Sequence, residues 1–101
     1  MRVIVFFDVP MLTSENIRNY NKMRKSLIKD GFIMLQESIY CKLVMNPSIA
    51  FSVKERVRKY SAPEGVIQIL VITEKQYASI EYIVGGLKTN IVNTTDRILI
   101  I

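Results

Sequence analysis

The chain has 101 residues, half of them hydrophobic, and a formal net charge of +5 at pH 7. A chain of this length fits one domain, which buries roughly two-thirds of the surface that the unfolded form exposes. The hydrophobic content excludes a disordered chain. The absence of histidine excludes Ser-His and Cys-His nucleophilic pairs and the usual zinc sites. Any catalysis must therefore depend on carboxylates, hydroxyls, lysine or a hard metal ion.

Targeting and redox signals favour a cytoplasmic protein with no membrane partner. The longest apolar runs, residues 3–7 and 69–72, are shorter than the roughly 20 residues that a membrane span requires. The first residues begin a strand and carry no small-residue cleavage site. Cys41 is the single cysteine, and its apolar surroundings predict a buried, inert thiol.

The positive charge is concentrated in the middle of the chain. Ten of the fourteen Lys and Arg residues lie between Arg18 and Lys59, where only Asp30, Glu37 and Glu55 oppose them. A basic region of this kind indicates nucleic acid as the default partner, with an anionic membrane surface second.

Residues 3–7 predict the central strand of the fold. They are five consecutive β-branched and aromatic residues, a pattern typical of a strand covered on both faces. Pro10 has no amide hydrogen for a sheet ladder, so the strand should stop by residue 9 or 10 and leave Asp8 at its carboxyl end. Ligands tend to bind at such strand ends. An Asp before Val-Pro is also commonly a turn former, and the residues alone leave both roles open.

The next predicted element is an amphipathic helix with a basic stripe. Thr13 or Ser14 caps it and Gly31 closes it, which places the helix over about residues 15–30. Its outer arc carries four cations: Arg18, Lys22, Lys25 and Lys29. Solvated helix faces are also polar, but they usually mix acids with bases, and this arc has almost no acid. Arg24 falls within the apolar arc, where it must reach solvent or find an anionic partner.

The following segments predict a ferredoxin-like fold. They comprise a strand hairpin at residues 32–35 and 39–45, a helix over about residues 48–60 and an apolar strand at residues 66–73. The order β-α-β-β-α-β is the split βαβ arrangement, an α+β fold with both helices on one face of a single sheet. Cations outside the buried stripe of the second helix are more often solubilising charges than a binding site: Lys54, Arg58 and Lys59.

The other face of this sheet has no cover. Strands that are apolar at successive positions, such as residues 3–7 and 69–72, need cover on both sides. A second copy of the domain, related by a two-fold axis, is the most economical cover. We therefore expect a homodimer with the sheets packed face to face.

The C-terminal third is predicted to extend this assembly. A core over residues 1–78 is followed by a segment over residues 79–101 that contains a candidate strand at 80–84, a polar loop at 85–96 and apolar residues at 98–101. The apolar terminus would pair its backbone groups by adding a strand to the sheet edge of the partner subunit. The alternative is that it folds back onto its own domain, although the long loop supplies the reach for exchange.

Motifs along the whole chain carry a family resemblance. In chain order they are Phe7-Asp8-Val9-Pro10, then Tyr20, Lys22, Arg24-Lys25 and Leu27, then Gly31-Phe32-Ile33-Met34, Gln36-x-Ser38-x-Tyr40, Val71-x-Thr73-Glu74-Lys75-Gln76 and Asp96-Arg97-Ile98. Together they resemble the Cas2 family, the small subunit of the CRISPR adaptation machinery, and are most similar to its type II-A branch. The segment between Phe51 and Pro63 follows the family only loosely.

The resemblance implies a ferredoxin-like homodimer that bridges two integrase dimers and helps to capture short DNA duplexes as new spacers. It also implies a magnesium-dependent endonuclease, acting on RNA in some members and on double-stranded DNA in others. The family's metal residue is the aspartate that ends the first strand, here Asp8. One carboxylate is a poor magnesium site, so two copies of Asp8 would share the Mg²⁺ across the dimer. A metal-bound water would allow hydrolysis without histidine.

Three functions are compared below. The leading hypothesis is a DNA-binding structural dimer in spacer acquisition, with sequence-independent phosphate contacts from Arg18, Lys22, Arg24 and Lys25. The alternative is an independent metal-dependent nuclease with Asp8 as its catalytic residue, an activity that adaptation is not expected to need. The third is a small-ligand regulatory domain, which requires a concave apolar pocket with few polar groups.

Overall fold

The computed structural model describes residues 1–86, and residues 87–101 lie outside the described part. Its elements are, in order, β1 (Arg2–Asp8), α1 (Ser14–Lys29), β2 (Ile33–Gln36), β3 (Ile39–Leu43), α2 (Pro47–Tyr60), β4 (Val66–Ile72) and α3 (Glu74–Ala78). The predicted ferredoxin-like α+β order is confirmed. Among residues 1–86, no helix is both long and apolar enough to cross a bilayer.

β1 is a central strand of the sheet, as its apolar run predicts. The four strands are antiparallel neighbours in the order β2-β3-β1-β4. Phe6 of β1 lies opposite Ile39 of β3 on one side and Gln68 of β4 on the other. Pairing on both sides satisfies the backbone groups of a strand that would otherwise be costly to bury.

Successive side chains of β1 point alternately to the two faces of the sheet. One face packs against both helices in a core that includes Val3, Val5, Phe7, Met23, Leu27, Val53 and Val57. The other face carries Arg2, Ile4, Phe6 and Asp8, because successive strand residues point to opposite sides. We call this second face, which neither α1 nor α2 covers, the open face.

The open face exposes large apolar side chains. Ile33, Leu43, Val66 and Leu70 are each between 50% and 59% exposed. In the sheet, Leu43 lies opposite Arg2, Val66 opposite Asp8 and Leu70 opposite Ile4 of β1. Ile33 is aligned with Ile4 through Cys41 of β3. The described residues therefore contain the uncovered apolar face that the sequence predicts.

α1 begins with the predicted cap. The Thr13 hydroxyl oxygen accepts a hydrogen bond from the Asn16 backbone N–H at 3.0 Å, and the Asn16 side-chain oxygen accepts one from the Thr13 backbone N–H at 3.2 Å. These reciprocal bonds satisfy backbone donors that the first turn of a helix leaves free. They fix the start of α1 soon after the end of β1.

The buried stripes of both helices are narrower than the helical spacing predicts, since that spacing places Ile17 and Ile28 in the α1 stripe and Ile49 in the α2 stripe. Ile17 and Ile28 of α1 are 43% and 49% exposed, and Ile49 of α2 is 41% exposed. Ala50 is buried on α2, next to Val53 in the core cluster. A helix that packs flat on a sheet buries only the side chains aimed directly at it, so residues at the margin of the stripe stay exposed.

The C-terminal segment differs in part from the prediction. α3 covers residues 74–78 as expected, but residues 80–84 form no strand. Ile80, Tyr82 and Val84 instead line a groove on the open face together with Ile4 and Phe6. The backbone groups of the sheet are already paired at this groove, so the segment has no strand to pair with there. The predicted C-terminal strand at residues 98–101 lies outside the described residues.

Candidate functional site

Asp8 ends β1 and projects an exposed carboxylate onto the open face. It still pairs with Val66 of β4, so the regular alternation of the strand holds at this residue. Within residues 1–86, the Asp8 carboxylate makes neither a hydrogen bond nor an ion pair. A turn-forming aspartate would bond to nearby backbone, so the structure favours a carboxylate that is free for a ligand.

A close backbone contact fixes the position of Asp8. Gly65, in the turn before β4, has a φ of +96°, and a Cβ there would lie 2.4 Å from the Asp8 carbonyl oxygen and 2.8 Å from the Val9 Cα. Glycine alone combines this backbone conformation with the space required. The turn before β4 therefore closes directly against the end of β1.

Residues 1–86 of one chain do not form a magnesium site around Asp8. Within the described ranges, no group of three or more acidic, cysteine or histidine side chains could hold a metal ion. Mg²⁺ requires near-octahedral oxygen coordination, and a single carboxylate leaves nearly all of it to water. Residues 1–86 of one subunit therefore do not fit the ion without a further carboxylate.

The four predicted nucleic-acid-binding residues, here called the α1 cations, lie on the first helix: Arg18, Lys22, Arg24 and Lys25. Arg18, Lys22 and Lys25 are exposed, and Arg24 is half-buried. None of the four makes an ion pair with an acid in residues 1–86. Their charge is therefore available to an anionic partner.

Several cations elsewhere in the described chain are held by acids. The pairs are Arg2 with Glu74 at 3.0 Å, Arg56 with Asp30 at 2.8 Å, Lys42 with Asp30 at 3.4 Å and Arg58 with Glu55 at 3.4 Å. Arg2 also lies 4.1 Å from the centroid of the Tyr77 ring, which helps to hold α3 on the sheet. Cations that make no ion pair are thus concentrated on α1, both because α1 is rich in Lys and Arg and because acids pair with several cations elsewhere.

Asp30 is the hub of this pairing. Burial raises the pKa of Asp30, but hydrogen bonds from Arg56 and Tyr60 and the charge of Lys42 outweigh burial and lower that pKa below its ordinary value of 3.8. Burial, followed by the Asp30 charge, raises the pKa of the Tyr60 phenol. The carboxylate is therefore stabilised in its ionised form and cancels positive charge at the end of α1.

Arg24 lies beside the aromatic layer under α1. Burial raises the pKa of Tyr20, and the positive charge of Arg24 partly opposes that rise. The Tyr20 ring packs 5.4 Å from the Phe7 ring, which in turn lies 5.5 Å from Tyr40. Arg24 makes no ion pair with an acid within residues 1–86, so its positive charge adds to that of the α1 surface.

The structure does not bring Asp8 and the α1 cations together within one subunit. Asp8 lies on the open face, whereas α1 packs on the opposite face and turns its cationic stripe away from the sheet. The two predicted functions therefore use different surfaces of the molecule.

The family model described as CRISPR associated protein Cas2 matches residues 1–80. The chain belongs to the Cas2 family.

Relatives share the length of this Cas2-family chain. A Treponema denticola protein named CRISPR-associated endoribonuclease Cas2 is 50% identical over 101 residues, which is 100% of both chains. A protein of the same name from Lacticaseibacillus rhamnosus is 38% identical over 101 residues, which is 100% of both chains. Another from Streptococcus mutans is 39% identical over 99 residues, which is 98% of this chain and 91% of the relative. Lactobacilli and streptococci among the relatives agree with the type II-A branch.

A solved Cas2 structure has the same fold. The crystal structure of Streptococcus pyogenes Cas2 at pH 6.5 matches with a TM-score of 0.63 and 19% identity, covering 82% of this chain and 99% of that chain. At this level of identity the match shows the fold alone.

The open face of this Cas2-family chain contains an apolar groove of about 490 Å³. Ile4, Phe6 and Ile39 line it from the sheet, and Tyr82 and Val84 line it from the C-terminal segment. Gln36 is the one polar side chain among its described lining residues apart from the Tyr82 hydroxyl. The groove therefore has the apolar lining and few polar groups that the small-ligand hypothesis requires, and the same lining also suits an apolar polypeptide.

The sequence analysis missed one residue beside the α1 cations. Lys59 of α2 lines a groove together with Lys22. A signal was present, because Arg56, Lys59 and Tyr60 are spaced i, i+3 and i+4, which places them on one side of a helix. The contacts of Arg56 and Tyr60 with Asp30 show that this side is turned towards α1.

Proposed function

We propose that this Cas2-family chain is a structural, DNA-binding subunit of CRISPR spacer acquisition, which works as a homodimer that bridges two integrase dimers. The observation that carries the proposal is the row of α1 cations without an acidic partner in residues 1–86. From Arg18 to Lys25 the helix rises about 10 Å, since each residue adds about 1.5 Å. That length matches about three phosphate steps along one DNA strand.

The proposed contacts are with phosphates and not with bases. Flexible cationic side chains on an exposed helix face neutralise backbone charge and position a duplex without reading its sequence. Each phosphate neutralised releases counterions, which gives a decrease of about 0.9 log units in affinity per log unit of salt. Sequence-indifferent binding with a steep salt dependence is therefore the expected behaviour.

A titration of a labelled DNA duplex at several salt concentrations tests this proposal. Lys22→Ala combined with Lys25→Ala should weaken binding and flatten the salt slope by up to about 1.8, because two phosphate contacts are lost. Arg58→Ala combined with Lys75→Ala removes the same charge from α2 and α3 and should leave the slope nearly unchanged. Equal slopes for the first variant and the wild type would reject the α1 surface.

The open face supports the homodimer. Exposed apolar patches of this kind mark interaction surfaces, and a two-fold axis lets one such face cover an identical one. Because α1 lies on the opposite side of each sheet, the dimer would present two sets of α1 cations on its outer surfaces. Two such sets on one particle suit a duplex that runs across both subunits.

Binding to the integrase subunit tests the bridging role directly. We expect the wild-type chain to co-purify with the integrase subunit and to support spacer acquisition in cells. The Lys22→Ala, Lys25→Ala variant should still co-purify but lose acquisition, since its folded surface for protein contacts is unchanged. Loss of co-purification in that variant would instead place the integrase contact on α1.

A second candidate function is a magnesium-dependent endonuclease acting on RNA or double-stranded DNA. The exposed carboxylate of Asp8 on the open face favours it, together with the name of the relatives, CRISPR-associated endoribonuclease Cas2. Packing two open faces about a two-fold axis would supply the second Asp8 that a single subunit lacks. A Mg²⁺ held by the pair would activate a water and stabilise charge on a phosphate.

Asp8→Asn tests this candidate, with cleavage measured in magnesium and in a chelator. We expect loss of cleavage in Asp8→Asn and in chelator, and retention in Glu37→Gln, which makes the same charge change on the exposed β2–β3 turn. Cleavage that survives both the substitution and the chelator would exclude Asp8 as the catalytic residue. Spacer acquisition should survive Asp8→Asn if the structural role is independent of cleavage.

A further inference from the structure

We infer that Lys22 and Lys59 together bind one phosphodiester of the nucleic acid, in the groove between α1 and the carboxyl end of α2. The inference rests on the proposed function, because it extends the same DNA-binding surface onto the second helix. It gives a role to a cation of α2 that the sequence pattern treats as a solubilising charge.

The groove is large enough for a phosphate group. Its volume is about 260 Å³, with Asn19 and Lys22 on the α1 side and Lys59 and Ser61 on the α2 side. One water molecule occupies about 30 Å³ in the liquid, so the groove holds a phosphate and part of its hydration shell. Asn19 lines the same groove, and its side-chain amide is an uncharged donor.

The charge of the groove favours an anion. Lys22 and Lys59 are its only ionisable side chains apart from the Tyr60 phenol, and no acid lines it among the described residues. Neither lysine makes an ion pair within residues 1–86. Two like charges across a groove repel each other, and an anion between them converts that repulsion into two charge-assisted hydrogen bonds.

Tyr60 separates this groove from a neighbouring one in which an acid offsets part of the positive charge. The neighbouring groove, of about 290 Å³, is lined by Lys29, Asp30 and Arg56 as well as Tyr60. The Tyr60 hydroxyl donates a hydrogen bond to the Asp30 carboxylate at 3.0 Å, and Arg56 binds the same carboxylate at 2.8 Å. Asp30 thus offsets one of the two positive charges on its side of the Tyr60 ring, whereas the Lys22–Lys59 side has no acid to offset either charge among the described residues.

Lys59 also has a purely structural explanation that must be separated from this one. It lies in the last turn of α2, where a cation interacts favourably with the helix dipole. The dipole term affects folding stability and not the salt dependence of DNA binding. Arg58 lies in the same last turn but pairs with Glu55, so it is the matched control.

The test is a fluorescence-anisotropy titration of a short labelled DNA duplex with the full chain at several salt concentrations. Lys59→Gln should weaken binding several-fold and lower the salt slope by up to about 0.9, the value for one phosphate. Arg58→Gln should leave the slope at the wild-type value. Urea denaturation of each variant shows that it is folded and measures the dipole contribution separately.

Combining the substitutions tests whether the two lysines share one phosphate. If they do, Lys22→Gln with Lys59→Gln lowers the slope by about 0.9 in total, because a single contact is lost. A total loss of about 1.8 would mean two separate phosphates and would overturn the shared site. An unchanged slope in Lys59→Gln, beside a flattened slope in the Lys22→Ala, Lys25→Ala variant, would overturn this inference and leave the proposed function standing. If neither variant changes the slope, the proposed function itself fails.

Discussion

Arg56 of α2 donates a hydrogen bond from Nη2 to Oδ1 of Asp30 at 2.8 Å, and its Nε contacts both oxygens of that carboxylate at 3.1 and 3.2 Å. Asp30 is the C-cap of α1, so this forked contact ties the end of one helix to the other. Lys42 of β3 donates to the Asp30 backbone carbonyl as well. The position of α1, and hence of its cations, is set in part by this one carboxylate.

Asp30→Asn should destabilise the fold. It leaves Arg56 and Lys42 without their counter-charge in a place where the Asp30 side chain is only 11% exposed. Losing charge-assisted hydrogen bonds of this kind costs about 1.5 to 3 kcal/mol. The measurement is the urea midpoint at constant m-value. Glu55→Gln, which breaks the exposed pair with Arg58, should cost less than about 1 kcal/mol, and an equal cost for both variants would contradict the special role of Asp30.

The same carboxylate should make stability depend on acid pH. The pKa of Asp30 is lower in the folded chain than its ordinary value of 3.8, so the unfolded chain binds the proton more readily. Its contribution is therefore fully present above the ordinary value and is lost as the pH falls through the lower, folded value. The unfolding free energies of wild type and Asp30→Asn should therefore converge as the pH falls from neutral to below the ordinary pKa of 3.8. Glu74, whose pKa Arg2 also lowers, cancels in this difference. A gap that stays constant with pH would disprove the prediction.

Gly65→Ala should disturb the strand end that carries Asp8. The added Cβ would lie 2.4 Å from the Asp8 carbonyl oxygen, a backbone atom that cannot move without breaking the pairing of β1 with β4. Gly85→Ala is the matched control, since Gly85 also has a positive φ, +85°, but nothing within 4 Å of its Cβ position. The backbone strain common to both is about 1 to 2 kcal/mol. The loss of thermal stability should be clearly larger for Gly65→Ala, and equal losses would show that the contact is relieved at little cost.

A charge on the open face should weaken the proposed homodimer. Leu70 is 50% exposed at the middle of β4, and Leu70→Lys would place an ammonium group between the two sheets. Burying an unpaired charge is costly, so the dimer dissociation constant should rise at least about tenfold. Phe51→Lys, on a residue of α2 that is 62% exposed, introduces the same charge outside the open face. Sedimentation velocity over a concentration series distinguishes the two. Equal dissociation constants for both variants would place the interface elsewhere.

Local patterns predicted the elements of this fold well. The apolar run of residues 3–7 and the missing amide of Pro10 defined β1 and left Asp8 at its end, where the structure has it. Thr13 and Gly31 bracketed α1 to within one residue of its observed bounds. These signals act over a few residues, through side-chain alternation, capping and the loss of a hydrogen-bond donor, so they can be read without the tertiary structure.

The candidate strand at residues 80–84 shows where such patterns fail. Its alternating apolar residues suit a strand, but a strand also needs a free neighbouring edge, and the segment lies across the open face instead. The prediction of which apolar helix residues are buried fails in a similar way. The exposure of Ile17 and Ile49 depends on how far the sheet extends beneath each helix. Both outcomes are decided by neighbours that are distant in sequence.

The sequence by itself determined the family, the order of the elements, the position of Asp8 and the basic character of α1. Only the tertiary structure decided which charges are free. Asp30 and Arg56 are 26 residues apart in the chain, and Lys22 and Lys59 are on different helices, so their proximity arises from the packing of α1 against α2. Tertiary structure also put Asp8 and the α1 cations on opposite faces of the sheet. The physical reason is that Coulomb and hydrogen-bond interactions depend on distances in space, which local periodicity does not specify.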